Sequence, residues 1–249
     1  MSENQIALEL YSVRHLTAGD MLGALRQVAE IGYRAVEFAG YGNATPAEIR
    51  RTLDELGVRA VSAHTRFDNF ETNLDQTLAD LQTLGCTHAV VPWLAPEWRG
   101  PERLPELAQR FNAWGTRCRE EGIRFGYHNH DFELVPADDG TLLLDHLIAA
   151  TDPSLVDMQL DFYFTQAAGL DGATLVHRLA GRVPTLHMKD LAPGPDVKDA
   201  AVGAGVIDWD PILAAAREAG TAWYIVEQET NPPALAESLH FLQGKLGAA

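Results

Sequence analysis

The sequence predicts an α/β protein and, within that class, a single (β/α)8 TIM barrel that takes residues 1–249 as one domain. Three observations predict it. Six segments repeat one grammar: an amphipathic stretch, a glycine, then a short apolar run ending in polar or ionisable residues. Those runs are near-continuously apolar, as the strands of a parallel sheet are when both faces are buried. A chain of 249 residues, 46% hydrophobic and 22% charged, with no Pro/Gly/Ser-rich linker, has the length of one closed barrel.

Ile6 to Val13 reads as the first strand. It leads into Tyr11-Ser12-Val13-Arg14 where a dinucleotide-binding open sheet would carry GxGxxG. Met21, Leu22, Leu25, Val28 and Ala29 follow helical spacing, and Thr45-Pro46-Ala47-Glu48 offers an N-cap, a proline at the first helical position and a capping glutamate. Gly32, Gly57, Gly85, Gly122, Gly181 and Gly220 each stand where a helix must stop, because the residue there commonly turns left-handed. The runs that follow include Ala60 to Ala63, His88 to Val91 and Arg124 to His130; Asp157 to Phe164 completes eight strands.

The formal charge of −16 opposes approach to nucleic-acid phosphates or an anionic bilayer, so neither partner is expected. Arg117, Arg119 and Arg124, interleaved with Glu120 and Glu121, read as a solvated helix face. Cys86 and Cys118 lack CxxC spacing, which argues against a disulfide framework or thiol metal site and fits a reducing cytoplasm. The polar start, Met1 to Gln5, runs straight into a strand, so no signal peptide is expected, and no apolar run reaches the about 18 residues needed to cross a membrane. A homo-oligomer is compatible with the sequence; Trp98, Trp114 and Trp209 fit an interface or the core.

The strand ends carry Arg14, Glu37, His64, Trp93, His128, His130, Asp161, His187, Lys189, Glu227 and Glu229. Barrel enzymes build their sites at that rim, and burying so many charges without a partner costs several kcal/mol each, so a cation or charged substrate is the natural compensation. Asp161 in MQLDFYF, His187 in TLHMKD and Glu227 in YIVEQE are the leading metal ligands, their oxygen and nitrogen donors suiting one Mn, Mg, Co or Zn ion. Strand five offers the fourth ligand as His128, His130 or Glu133. Lys189 shares the face of His187 and reads equally as a rim lysine or a substrate-binding or acid group; Asp190, of opposite parity, reads as structural. Gly203-Ala204-Gly205 reads as a turn, with an anion-binding loop as the lesser reading.

The segments LYSVR, GYRAVEFAG, SAHT, YHNHDFE, QLDFYF, LHMKD, VGAGVIDW and YIVEQE, in that order, resemble the sugar phosphate isomerase/epimerase family, barrels related to xylose isomerase and to the endonuclease IV type. The resemblance implies a divalent metal at the barrel mouth, held here by Glu133 or a histidine of YHNH with Asp161, His187 and Glu227. Ketose epimerases of the group use a glutamate within strand five; here Tyr127 and His128 stand there, which leaves the strand-five ligand and the acid/base pair open.

The expected activity is therefore a manganese-type, metal-dependent sugar or sugar phosphate isomerase or epimerase working through an enediolate, with Glu227 and Glu133, or His130 in place of Glu133, moving the proton and Lys189 as a further candidate. Arg14, Glu37, His64, Trp93 and His128 are expected to contact the small carbohydrate substrate. Elimination of water or an alcohol from a keto-sugar or keto-inositol is the alternative within the same apparatus. A non-catalytic sugar-binding barrel is the alternative of another class, and a multi-metal phosphodiesterase is disfavoured by the acidic balance.

Overall fold

A computed structural model of the chain describes residues 5–195, 198–230 and 233–247; the polar start at residues 1–4 lies outside them. The strands are β1 (Ile6–Glu9), β2 (Ala35–Phe38), β3 (Arg59–His64), β4 (His88–Val91), β5 (Arg124–His128), β6 (Val156–Asp161) and β7 (Thr185–Met188). The short antiparallel pair β8 (Asp190–Leu191) and β9 (Asp199–Ala200) follows, and then β10 (Trp223–Val226). Among the described residues, eight parallel strands close in the order β1-β10-β7-β6-β5-β4-β3-β2, with helices outside.

Local sequence explains the alternation. The helix Pro46–Leu56 opens on a capping box in which Thr45 Oγ1 accepts from Glu48 N–H at 3.3 Å and the Glu48 carboxylate accepts from Thr45 N–H at 2.9 Å. Removing such a cap costs about 1 kcal/mol. The helix buries Ile49, Thr52 and Leu53 and ends at Gly57, whose φ of 64° any side chain would strain. The other five repeat glycines also have positive φ.

Three of the expected strands end earlier than anticipated, β5 by two residues at His128 and β1 and β6 by more. β1 stops at Glu9 and the chain turns through a 3-10 helix, Leu10–Val13; β6 stops at Asp161, whose carboxylate accepts from Tyr163 N–H and caps the helix Phe162–Ala167. Leu10, Val13 and Phe162 remain buried past the strand ends although Tyr11 is exposed, so hydrophobicity alone overextended both segments.

Side chains between sheet and helices form the larger core, including Phe70, Phe111, Trp114, Phe125 and Tyr127. Trp114 and Trp209 are buried, and Trp98 packs partly buried against that core. Inside the barrel, Ala7, Ala35, Val61 and Ile225 make a small apolar floor. Two residues on along β1, β2 and β10, strand alternation brings Glu9, Glu37 and Glu227 to the mouth. No helix among the described residues is long and apolar enough to cross a membrane.

Candidate metal centre and substrate cavity

Two groups of four side chains, linked by the triad His64, His128 and His187, meet above the apolar floor and share His187. His128, Asp161, His187 and Glu227, from β5, β6, β7 and the end of β10, each offer one ligand atom, all within 4.8 Å of one another. Glu9, Glu37, His64 and His187 form a second group by the same measure. Glu9, Glu37, Asp161 and His187 are fully buried, and His128 and Glu227 are nearly so.

His187 is the hinge of the arrangement. Its Nδ1 lies 2.8 Å from Glu227 Oε2 and its Nε2 lies 2.7 Å from Glu37 Oε2. Burial pulls this imidazole down, but Glu37 and Glu227 outweigh burial and hold it up at about 10. Burial pushes the Glu37 carboxylate up, and His64 and His187 overcome that and keep it well below the usual range. Glu227 is likewise pushed up by burial and pulled well down by Lys189 and His187. Glu37 is further fixed by Ser62 Oγ, donating at 2.5 Å, and Gln159 Nε2 at 2.9 Å.

Two atoms of the first group have no hydrogen-bond partner although buried, His128 Nδ1 and Asp161 Oδ2. Burial raises the Asp161 carboxyl to about 7 against the pull of Lys189. Unpaired buried donors and acceptors are costly, and a carboxylate, imidazole, imidazole and carboxylate set is a donor set that a divalent cation satisfies. The residues therefore fit such an ion, with oxygen and nitrogen ligands and no thiolate.

Glu133 lies apart from both groups. Its carboxylate accepts from Tyr127 Oη and from His130 N–H at 2.8 Å, and burial raises it to about 7. A short 3-10 turn, Phe132–Leu134, points it back under β5 rather than into the mouth. The strand-five side chain that stands with Asp161, His187 and Glu227 is His128. Lys189 is buried, its ammonium between Glu227 Oε1 at 3.3 Å and Glu229 Oε1. Burial lowers its pKa, but Glu227, Asp161 and Glu229 outweigh burial and raise it.

A cavity of about 920 Å³ opens over the site, lined among others by His64, His128, His130, Glu227, Glu229 and Trp93. Trp93 is 47% exposed and carries the Arg99 guanidinium 4.7 Å from its ring. His130 has an unpartnered Nδ1, and burial depresses its pKa to about 4. Arg14 is placed elsewhere: it is exposed, donates to Tyr11 O at 2.9 Å and lies over the Tyr11 ring. The rim residue of the first strand is Glu9, two residues before the Tyr11 that lines the cavity.

The glycine loop after β7 holds no free anion cradle. Asp190 accepts from the N–H groups of Gly203 at 2.9 Å, Gly205 at 3.3 Å and Ile207 at 3.2 Å and from Trp209 Nε1 at 2.7 Å. The structural reading of Asp190 and the turn reading of the loop are one device. Sequence reasoning missed Glu9, Gln159 and Asn129, whose Oδ1 accepts from Asp161 N–H at 3.2 Å. Alternation could have found Glu9, since Ala7-Leu8-Glu9 repeats Ala35-Val36-Glu37.

Fold and site together define a closed barrel whose mouth carries a buried group of carboxylates and imidazoles able to hold a cation, beneath a cavity of about 920 Å³. Residues 25–245 match the profile of the Xylose isomerase-like TIM barrel family, and the chain belongs to that family. Among curated proteins it is similar to the inosose dehydratase of Geobacillus kaustophilus, 27% identical over an alignment of 248 residues that covers 84% of this chain and 80% of that protein. The inosose dehydratase of Lacticaseibacillus casei is 31% identical over 153 residues, 55% of this chain and 48% of that one. Among solved structures, a sugar phosphate isomerase/epimerase from Parabacteroides distasonis superposes with a TM-score of 0.79 at 23% identity, covering 98% and 94% of the two chains. The IOLI protein with a bound zinc atom superposes at 0.72 and 13% identity, covering 97% and 96%. At those identities the superpositions establish the fold. The expectation of an isomerase or epimerase is overturned by the sequence relatives, which are inosose dehydratases and favour the elimination set beside it.

Proposed function

We propose that this protein is a divalent-cation-dependent dehydratase that removes water from a small keto-cyclitol or keto-sugar in a reducing cytoplasm. The observation that carries the reading is the similarity to an inosose dehydratase along 84% of the chain, together with the buried ligand group at the barrel mouth. Both cysteines are buried free thiols, which fits that compartment.

His128, Asp161, His187 and Glu227 would hold the cation. When bound, it would polarise the substrate carbonyl and so acidify the adjacent carbon. His130 faces the cavity with a neutral imidazole and an unpaired Nδ1, which suits it to take the proton from that carbon. Its imidazolium then returns the proton to the departing hydroxyl, so that water leaves, an enone forms and the histidine is neutral again. Lys189 stays charged and holds Glu227 and Glu229 in place. Trp93 and His64 line the cavity and would orient the ring.

The test is incubation of the Mn-loaded protein with a 2-keto-inositol, with products followed by mass spectrometry. Loss of one water, abolished in His130→Asn, is expected. A product of unchanged mass, or no turnover on any keto-cyclitol or keto-sugar, overturns the reading.

A further inference from the structure

His130, assigned above to take the proton, lacks the usual device for aiming an imidazole. In paired nucleophiles and bases a third group holds the base by its far nitrogen, whereas His130 Nδ1 is buried without a hydrogen-bond partner. Its ring packs against those of His128 and Phe164, with centres 4.9 and 5.0 Å away, and that packing gives Nδ1 no partner. What hydrogen bonds contribute to aiming this side chain, they contribute through its backbone.

That backbone is held at both of its polar groups. The His130 N–H donates to Glu133 Oε2 at 2.8 Å, and the His130 carbonyl accepts from Asn129 Nδ2 at 3.3 Å. Asn129 Oδ1 in turn accepts from Asp161 N–H, which ties the turn to the end of β6. The other Glu133 oxygen accepts from Tyr127 Oη, and Tyr127 is a fully buried residue of β5 whose ring packs 5.4 Å from that of Phe111. A continuous path therefore runs from the packed core behind the strand, through one carboxylate, to the peptide N–H of the base.

The same local device occurs elsewhere in the chain under different conditions. Glu48 reaches back three residues to Thr45 N–H at the surface, where it caps a helix. Glu133 reaches back the same three residues to His130 N–H, yet its side chain lies in the interior with 1% of its surface exposed. Desolvating a carboxylate costs more than capping a turn contributes, so shaping the turn does not by itself account for a glutamate here. Holding a reacting group in place does, because a displacement of about 1 Å slows a reaction about a hundredfold. We propose that Glu133, braced by Tyr127, is a positioning residue for His130, fixing the peptide N–H beside the imidazole and so the reach of that imidazole to the substrate carbon. The inference takes the reaction from the dehydratase reading.

Two readouts test it on wild type, Glu133→Ala and Glu133→Gln: kcat and KM of the Mn-loaded protein on a 2-keto-inositol, and the His130 ring resonance of the Mg-loaded protein by NMR, identified by its loss in His130→Asn. In Glu133→Ala, kcat should fall about 10–100-fold with KM within about twofold, and the resonance should double or broaden. Glutamine keeps an acceptor for His130 N–H and a partner for Tyr127 Oη, so Glu133→Gln should restore kcat to within about threefold and the single resonance. An unchanged kcat and resonance in Glu133→Ala, or a loss carried by KM alone, overturns the positioning role and leaves the dehydratase reading standing. So does a Glu133→Gln as slow as Glu133→Ala with a single resonance, since charge rather than the hydrogen bond then matters. No turnover in wild type overturns the dehydratase reading, and the resonance alone then decides positioning: disturbed in Glu133→Ala supports it, undisturbed overturns it. If Glu133→Ala fails to fold by circular dichroism, Tyr127→Phe decides, with a lower kcat at constant KM expected and wild-type kcat with an undisturbed resonance overturning the role.

Discussion

The two walls of the barrel mouth are built from the same chemistry and differ in how they are satisfied. On the β5 to β10 wall, His128 Nδ1 and Asp161 Oδ2 lack partners, and the ligand atoms converge. On the β1 to β3 wall, Glu37 is held by Ser62, Gln159 and His187, and only one oxygen of Glu9 is left without a partner. The lesson is that one wall is left incomplete for a ligand, while the other mainly braces His187 and thereby sets the direction of the first wall's central imidazole.

The largest expected effect breaks the first wall. Asp161→Asn removes one of the four proposed cation ligands and a carboxylate that faces Lys189. Because a metal supplies several kcal/mol of transition-state stabilisation, kcat should fall about a thousandfold or more, with bound Mn falling below stoichiometry in the same sample. Activity within tenfold of wild type would mean that the wall is not where the reaction is held.

Bracing predicts a smaller loss on the other wall. Glu37→Gln keeps the size and an acceptor for Ser62 but weakens the carboxylate that receives His187 Nε2. Affinity for Mn²⁺ should fall about 10–100-fold, read by titration, with activity recovered at saturating metal. If saturating metal restores nothing, Glu37 touches the substrate rather than acting through His187.

The asymmetry explains what was legible in the sequence. Helix stops, capping residues and apolar runs are local, so the barrel and the wall of Asp161, His187 and Glu227 could be read from motifs ending at a strand's edge. Glu9 was hidden because the buried turn Leu10–Val13 prolongs the hydrophobic run past the strand and moved the expected rim to Arg14. The orientation of Glu133 depends on a 3-10 turn that returns it to Tyr127, a contact no spacing rule encodes. Gln159 was passed over because an amide carries no charge signal, although it has the same strand parity as Asp161.

Glu133 supplies a third, pH-dependent test. Burial raises its carboxyl from the ordinary value to about 7, so the folded state favours the protonated form. The stability this gives is fully present below the unfolded value, about 4.3, and is lost as pH rises through about 7. Gln, which never ionises, avoids that loss. Glu133→Gln should therefore gain on wild type by a few degrees in Tm between pH 5 and pH 8, whatever its offset at pH 5. A constant difference across that range would place an ionised Glu133 in the folded protein throughout.

The smallest effect is expected at Arg14, and it sharpens the same comparison from outside. Its guanidinium donates to the Tyr11 carbonyl and lies 4.3 Å from the Tyr11 ring centre, on the exposed side of the turn that follows β1. A cation–π contact at such an exposed place contributes about 0.5–1 kcal/mol, and it bears on the cavity only through Tyr11. Arg14→Ala should thus change kcat/KM by less than about fivefold, the equivalent of 1 kcal/mol, and leave bound Mn unchanged. A loss of a hundredfold in kcat/KM with Mn intact would bring Arg14 onto the substrate, which requires the turn Leu10–Val13 to move inward when substrate binds.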